Sequence, residues 1–315
     1  MILSVSRRTD IPSYYSEWFY NRVKAGHVFV RNPMNLHQIS KVEINREVVD
    51  CMVFWTKNPL PMLARLKEIE GYPYYFQFTL NAYGKNIEEN LALDCDARVE
   101  VFQRLSDIIG PDRVIWRYDP ILLNAQYTIE YHLQNFERLA ARLCDYTRKC
   151  TISFIDFYKK ITYRIKCLHI QVLEENEKRN IAEKLVKIAQ SYGLELETCA
   201  ENLALDDLGI GHTRCIDAAL IERIIGSKLQ LGKDKNQRTA CGCIESIDIG
   251  MYNTCLHGCK YCYANHNLQA VTENYHLHNI KGDLLCGKLT IEDIVKVRKT
   301  ASAKQLQTAF VFEEL

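Results

Sequence analysis

Six short runs rich in β-branched and aromatic residues recur through the first two thirds of this 315-residue chain, at 2–6, 49–55, 74–80, 113–118, 151–155 and 194–199. Between them lie longer stretches with the apolar spacing of helices, at 13–25, 59–69, 87–109, 128–147 and 174–192. Gly26, Gly71, Gly110 (followed by Pro111) and Gly193 stand at or just past the ends of these stretches, where a glycine caps a helix. Strands that alternate with helices pair in parallel through crossovers. The expected fold is therefore α/β, a partial (β/α)6 barrel of the TIM-like kind over residues 1–232. A closed eight-stranded barrel and an open doubly wound sheet share this periodicity. A further helix is expected at 215–225 and a polar linker at 226–239. A cysteine-rich segment follows over 233–286, with little regular structure. A helical tail is expected over 287–315, where Thr290 and Asp293 make a T-x-x-D capping box ahead of Ile294 and Val295.

Cys255, Cys259 and Cys262 stand at C-x3-C-x2-C in the run CLHGCKYCYAN. Compact thiolate loops hold soft metals or iron–sulfur clusters, and a cluster with three protein ligands keeps one iron free. The structural alternative is a zinc knuckle completed by His257, His266 or another cysteine. Cys199, Cys215, Cys241 and Cys243 form a second group, suited to a second iron–sulfur cluster or a closed structural zinc. Alternatively, Cys199 and Cys215 are small buried apolar residues and only the C-x-C pair belongs to a metal loop. Cys51, Cys95, Cys144, Cys150, Cys167 and Cys286 have apolar or helical contexts and are expected to fill the core. Thirteen cysteines, odd in number and spread along the chain, are unlike a secreted disulfide framework and point to a reducing, cytoplasmic setting. No apolar run follows Arg7 and Arg8 as an export signal requires, and none is long enough to cross a membrane.

The trio, with aromatic Tyr261 just before its third cysteine, resembles the signature of the radical S-adenosylmethionine (SAM) superfamily. Within that superfamily, residues 239–265 (TACGCIESIDIGMYNTCLHGCKYCYAN) and the N-terminal SVSRRTDIP are similar to a bacterial domain-of-unknown-function family whose cysteine cluster lies near the C-terminus. The resemblance implies a [4Fe–4S] cluster on Cys255, Cys259 and Cys262, with SAM chelated at the fourth iron. It also implies reductive cleavage of SAM and an electron donor such as flavodoxin or ferredoxin. Gly258 would let the backbone turn tightly at the cluster, and Tyr261 would pack beside it. Superfamily members usually carry this loop after the first barrel strand. Here it follows all six, and it meets the barrel mouth only if residues 240–265 fold back over the C-terminal ends of the strands.

Those ends are where a parallel barrel keeps its working residues. They offer Arg7, Arg8 and Asp10, then Lys57 and Asn58, Asn81, Arg117 and Asp119, Asp156, and Glu201 with Asn202. Arg7, Arg8 and Asp10 suit a substrate phosphate or carboxylate, or an ion network with Asp119 or Glu201. Arg117 and Asp119 suit SAM's ribose or carboxylate, or a self-satisfied salt bridge. Glu201 is a further catalytic candidate; Asn58 and Asn202 are candidates for cofactor contact. Gln237 and Arg238 are expected to reach the same cavity. Tyr14, Tyr15, Tyr74, Tyr75 and Tyr118 would stack on a base or simply pack. His132, His169 and His212 stand alone and are expected to be structural. No P-loop, nucleophile elbow, HExxH or dinucleotide fingerprint competes. The expected function is a radical-SAM-like enzyme of unknown substrate. A net charge of +1 leaves nucleic acid open as a substrate without favouring it. The alternatives are a non-catalytic structural or redox-sensing iron–sulfur or zinc protein, and a barrel hydrolase or lyase using the mouth carboxylates.

Overall fold

The computed structural model describes residues 1–199, 201, 203–238 and 240–305. In chain order the elements are β1 (Ile2–Val5), α1 (Ile11–Tyr14), α2 (Ser16–Ala25), β2 (His27–Asn32), β3 (Asn35–Glu43), β4 (Cys51–Thr56), α3 (Leu60–Leu63), β5 (Tyr74–Thr79), α4 (Cys95–Ile109) and β6 (Val114–Ile121). There follow α5 (Ile129–Leu143), β7 (Lys149–Phe154), α6 (Thr162–Lys166), α7 (Glu175–Ser191), β8 (Glu195–Cys199), β9 (Gly211–Thr213), α8 (Ala218–Ile225), β10 (Ile247–Asp248), α9 (Leu268–His276) and β11 (Ile294–Val297).

Eight of the strands form one sheet in the order β10-β1-β4-β5-β6-β7-β8-β9, with every pairing parallel. Alternate residues along each strand serve different cores, because successive side chains point to opposite faces. Leu3, Met52, Phe54, Phe76, Phe78 and Trp116 pack with Trp18, Phe19, Phe102, Phe136 and Leu185 from α2, α4, α5 and α7. Ile2, Cys51, Val53, Tyr75 and Ile115 face the other way, onto Ile216, Leu220, Ile221 and Ile244. The crossover helices thus share one face, and the strands from β1 to β9 run across the sheet in chain order with no reversal.

The α/β winding is the expected one, and all six anticipated strands are present. The sheet has eight strands rather than six and is open, with β9 and β10 as edges that do not pair with each other, so no closed barrel forms among the described residues. The face that a barrel would turn inward is filled by α8 and its flanking chain, whose Cys215 carbonyl accepts from Tyr75 Oη (2.6 Å) and Gln77 Nε2 (3.0 Å). The two extra strands have three and two residues, too short to leave a periodic signal.

Caps set the helix limits. Asp94 accepts from the Ala97 amide at 2.8 Å, so α4 starts at Cys95 rather than near 87, and residues 87–94 remain a loop. Thr128 and Asp217 cap α5 and α8 in the same way, and α8 begins at Ala218 rather than 215. Gly26 ends α2 in the left-handed region (φ 74°). The expected tail helix is not formed among the described residues. Asp293 does accept from the Thr290 amide (2.8 Å), but Arg31 of β2 also grips it at 2.7 and 3.0 Å, and the chain continues as β11 in parallel beside β3. The β2–β3 hairpin and α9 lie where no element was anticipated; residues 306–315 lie outside the described residues.

His132 is a satisfied core histidine, as expected. Its Nδ1 meets Tyr118 Oη at 2.8 Å and its Nε2 meets the Leu122 carbonyl at 2.9 Å. Burial brings its pKa from 6.5 down to about 4. As pH falls below 6.5 the unfolded chain takes up this proton before the folded one does, so the stability contributed by neutral His132 is lost on the way down to about 4. Between pH 7 and 5 the wild type should lose about 2 kcal/mol more unfolding free energy than His132→Gln. Urea titrations of both proteins at the two pH values measure the difference; equal losses would refute it.

Candidate functional site

All strands of the large sheet end on one side, and there the chain encloses a cavity of about 440 Å³. Its walls come from residues 6–10 after β1, 55–57 at the end of β4, Arg117 and Asp119 in β6, 153–156 at the end of β7, and Cys199. Two returning segments complete it, 236–243 and 255–264, and all seven cysteines of the two groups line it.

The trio reaches this place because β10 runs parallel to β1, pairing Ile247 with Leu3 and Asp248 with Ser4. The chain leaving β10 therefore emerges at the same sheet end as residues 6–10. Asp248 locks the junction, accepting from Ser4 Oγ (2.8 Å), the Arg7 amide (2.8 Å), Arg8 Nε (3.0 Å) and the Gly250 amide (2.9 Å). Burial alone would raise its pKa, but Arg8 and these donors hold its carboxyl below the usual range. At Gly250 a Cβ would lie 2.1 Å from Ser6 Oγ, so only glycine fits.

The cysteine loop is then held from several directions. Buried Arg164 of α6 donates to the Cys259 carbonyl (2.8 Å) and also to that of Asn265. The 87–94 loop docks alongside, with the Asn90 amide donating to the His257 carbonyl (3.0 Å) and the Lys260 amide to that of Ile87 (2.9 Å). Gly258 turns the loop at φ 67°, and a Cβ there would meet Asn90 Nδ2 at 2.9 Å. His257 Nε2 donates to Asp10 Oδ2 (2.8 Å), and its Nδ1 accepts from Tyr14 Oη (2.9 Å). Both ring nitrogens are thus engaged away from the trio. His266, the other anticipated zinc partner, meets Asn253 Nδ2 at 3.3 Å and does not line the cavity. Among the described residues no three His, Cys, Asp or Glu side chains surround a single ion-sized point. Burial pushes the Cys255 thiol well above its ordinary range and that of Cys259 up to about 12. Such thiols are inert on their own and ionise only with a bound cation.

Tyr261 packs against a buried charge cluster that periodicity did not show. Its hydroxyl donates to Glu88 Oε1, which also receives Lys57 Nζ at 2.7 Å, while Arg98 stands 3.8 Å from Glu88 Oε2. Glu88 and Arg98 are each 1 % exposed. Burial would raise the Glu88 pKa, but the charges of Lys57 and Arg98 outweigh it and hold the carboxyl below its usual range. Glu88 was hidden in a stretch assigned to a helix; the capping signal of Asp94 is what could have released it.

The other anticipated residues divide. Arg7 rests over the Trp55 ring (5.7 Å) and donates to Ser246 Oγ (3.2 Å), with Asp234 at 3.5 Å. Arg8 binds Asp248. Asp10 caps α1 and accepts from the Lys57 amide (2.7 Å) besides His257. The ion partners of these three are therefore not Asp119 or Glu201. Arg117 pairs with Asp119 and also places Nη1 3.0 Å from Cys215 Sγ. Gln237 and Arg238 line the cavity, Arg238 paired with Asp156 at the mouth. Asn58, Asn81 and Glu201 do not line it: Asn58 accepts from the Leu60 amide, Asn81 donates to the Asp119 carbonyl, and Glu201 accepts from the Phe154 amide. Asn202 lies outside the described residues. Tyr14, Tyr15, Tyr75 and Tyr118 give their hydroxyls to His257, the Thr254 carbonyl, the Cys215 carbonyl and His132, while Tyr74 packs against Phe54 and Phe76. None of the five faces the cavity, whose aromatic lining includes Trp55, Phe154, Tyr158, Tyr261 and Tyr263. Of the six cysteines expected in the core, Cys167 is instead exposed.

The second cysteine group comes together. Cys199 and Cys215 bring their sulfurs to 3.2 Å, Cys243 Sγ accepts from the Ile216 amide beside Cys215 (3.4 Å), and all four cysteines pack in one cluster. Half-exposed Cys241 is brought down to about 7, chiefly by its bond to Cys243.

The profile of a family described as a domain of unknown function, DUF1848, matches residues 2–264. The chain belongs to this family. The DUF1848 match runs from β1 through the whole trio, so the sheet and the cysteine loop form one family unit. No curated protein and no solved structure matches the chain. Among the described residues no helix is long and apolar enough to cross a membrane.

Glu88→Gln should leave Lys57 and Arg98 buried without a counter-charge and cost about 3–5 kcal/mol of stability. Tyr261→Phe removes one hydrogen bond to a charged acceptor and should cost about 1.5–3 kcal/mol. Guanidinium unfolding of the metal-free proteins ranks the two; a Glu88→Gln loss below that of Tyr261→Phe would contradict the electrostatic account.

Proposed function

We propose that this protein is a radical-SAM-like enzyme in which Cys255, Cys259 and Cys262 hold a [4Fe–4S] cluster and the adjoining cavity receives SAM and a substrate. The observation that carries the reading is that three cysteines from the far end of the chain stand at the C-terminal strand ends and line one cavity, while His257 and His266 are engaged with other partners. A [4Fe–4S] cluster held by these three cysteines would, with a donor such as flavodoxin or ferredoxin, supply the electron for reductive cleavage of SAM.

The chain's own residues then have definable tasks. Arg164, His257 and the 87–94 loop fix the cysteine backbone in position. Trp55, Tyr158 and Tyr263 offer aromatic walls that exclude water and suit a purine ring. Arg7, whose polar contacts are long, is placed to take a carboxylate or phosphate. A cavity of about 440 Å³ matches small-molecule ligands rather than a macromolecular groove. A purely structural clasp would be better served by a closed site on the outer surface.

The test is anaerobic reconstitution of the full chain with iron and sulfide. Relative to a variant with Cys255, Cys259 and Cys262 all changed to Ala, the wild type should bind about four more irons with matching sulfide. Dithionite with SAM should release 5′-deoxyadenosine from the wild type and none from Cys259→Ala. Wild type that takes up only zinc through the trio would sink the reading.

A further inference from the structure

Four cysteines from three separate parts of the chain meet on the wall of the same cavity. Cys199 closes β8, Cys215 follows β9, and Cys241 and Cys243 lie on the chain between α8 and β10. Core filling does not require sulfurs to converge. Yet those of Cys199 and Cys215 stand 3.2 Å apart, Cys243 Sγ accepts from the Ile216 amide next to Cys215 (3.4 Å), and Cys241 packs in the same cluster and lines the same cavity. A disulfide would use only two of them. Four convergent thiolates are the donor set of zinc and of iron–sulfur centres. Four thiolates around a core of charge +2 leave two net negative charges, costly to bury alone. The Arg117 guanidinium, 3.0 Å from Cys215 Sγ, is placed to offset part of that charge.

We propose that Cys199, Cys215, Cys241 and Cys243 form a closed tetrathiolate site for a thiophilic metal centre, zinc or iron–sulfur, distinct from the trio's site but on the same cavity. Cys199 and Cys215 are anchored by the ends of β8 and β9. Cys241 and Cys243 lie between α8 and β10 on a stretch whose described residues form no helix or strand, only isolated bridges of Leu229 to Lys304 and of Lys233 to Ile244. The four sulfurs do not surround one point. Metal uptake therefore re-seats the Cys241–Cys243 stretch, and the centre pins this otherwise irregular wall to the sheet. The site does not depend on what the trio holds.

The test uses the full chain with Cys255, Cys259 and Cys262 changed to Ala, prepared anaerobically. This variant should still bind about one equivalent of cobalt(II) with the intense thiolate charge-transfer bands and visible d–d bands of a tetrahedral tetrathiolate site, or one iron–sulfur cluster. Uptake of iron only with sulfide identifies the cluster; zinc competing away the cobalt identifies the single ion. Adding Cys241→Ser or, separately, Cys199→Ser should weaken the binding by more than about tenfold, the loss already seen on disturbing a metal site's outer shell. Two results overturn the proposal. One is metal uptake by the trio-less variant no greater than that of a variant lacking all seven cysteines, with both giving native circular dichroism. The other is a Cys199–Cys215 disulfide found by mass spectrometry in anaerobically prepared wild type. Failure of SAM cleavage leaves these readouts untouched, so the two readings fail separately.

Discussion

The two-residue parallel pairing of β10 with β1 decides where the chemistry of this chain sits. A strand pairing that short contributes little stability by itself. It persists because Asp248, at its end, accepts hydrogen bonds from both sides of the junction: Ser4, Arg7 and Arg8 on one side, Gly250 on the other. Its direction matters more than its energy. A parallel β10 delivers residues 249–265 to the same edge at which β1, β4, β6, β7 and β8 end. An antiparallel one would have carried the cysteines to the opposite edge of the sheet.

Around that delivery point the protein has assembled buried charge rather than apolar packing. Glu88, Lys57 and Arg98 are almost completely removed from water, and burying such a group costs several kcal/mol per ion before its partners compensate. An apolar substitute would have been as stable. The charged version adds directionality: Glu88 ties Tyr261 of the cysteine loop to Lys57 at the end of β4, so the loop has one register against the sheet. Asp10 acts similarly through His257, linking α1, β4 and the loop by three hydrogen bonds on one carboxylate.

The strands and most helices were legible because burial on both faces leaves long apolar runs and because glycine and capping residues mark helix ends. The convergence of the polar strand ends followed from parallel pairing alone. What escaped was of three kinds. Elements of two or three residues, such as β9 and β10, carry no period to detect. The β2–β3–β11 sheet is largely exposed and lacks a clean alternation, and at Thr290 a local capping signal lost to strand pairing with β3. Asp10 meets His257 across 247 positions, Glu88 meets Tyr261 across 173 and Asp248 meets the Arg7 amide across 241, and nothing in a local pattern encodes such contacts. The meeting of Cys199 and Cys215 with Cys241 and Cys243 belongs to that last kind, although their residue type had already singled them out.

The late position of the cysteine loop also sets an order of events. A chain emerges from the ribosome N-terminus first, so β1 and β4 to β8, with α2, α4, α5 and α7, are available to fold before Cys255 is made. Until then the outer edge of β1 lacks its neighbour, Ser4 and Arg8 lack Asp248, and Asp10 lacks His257. The newborn sheet therefore waits with one unpaired edge and a half-built polar socket. The cysteine segment enters that socket as the closing piece, bringing its three cysteines to walls already standing.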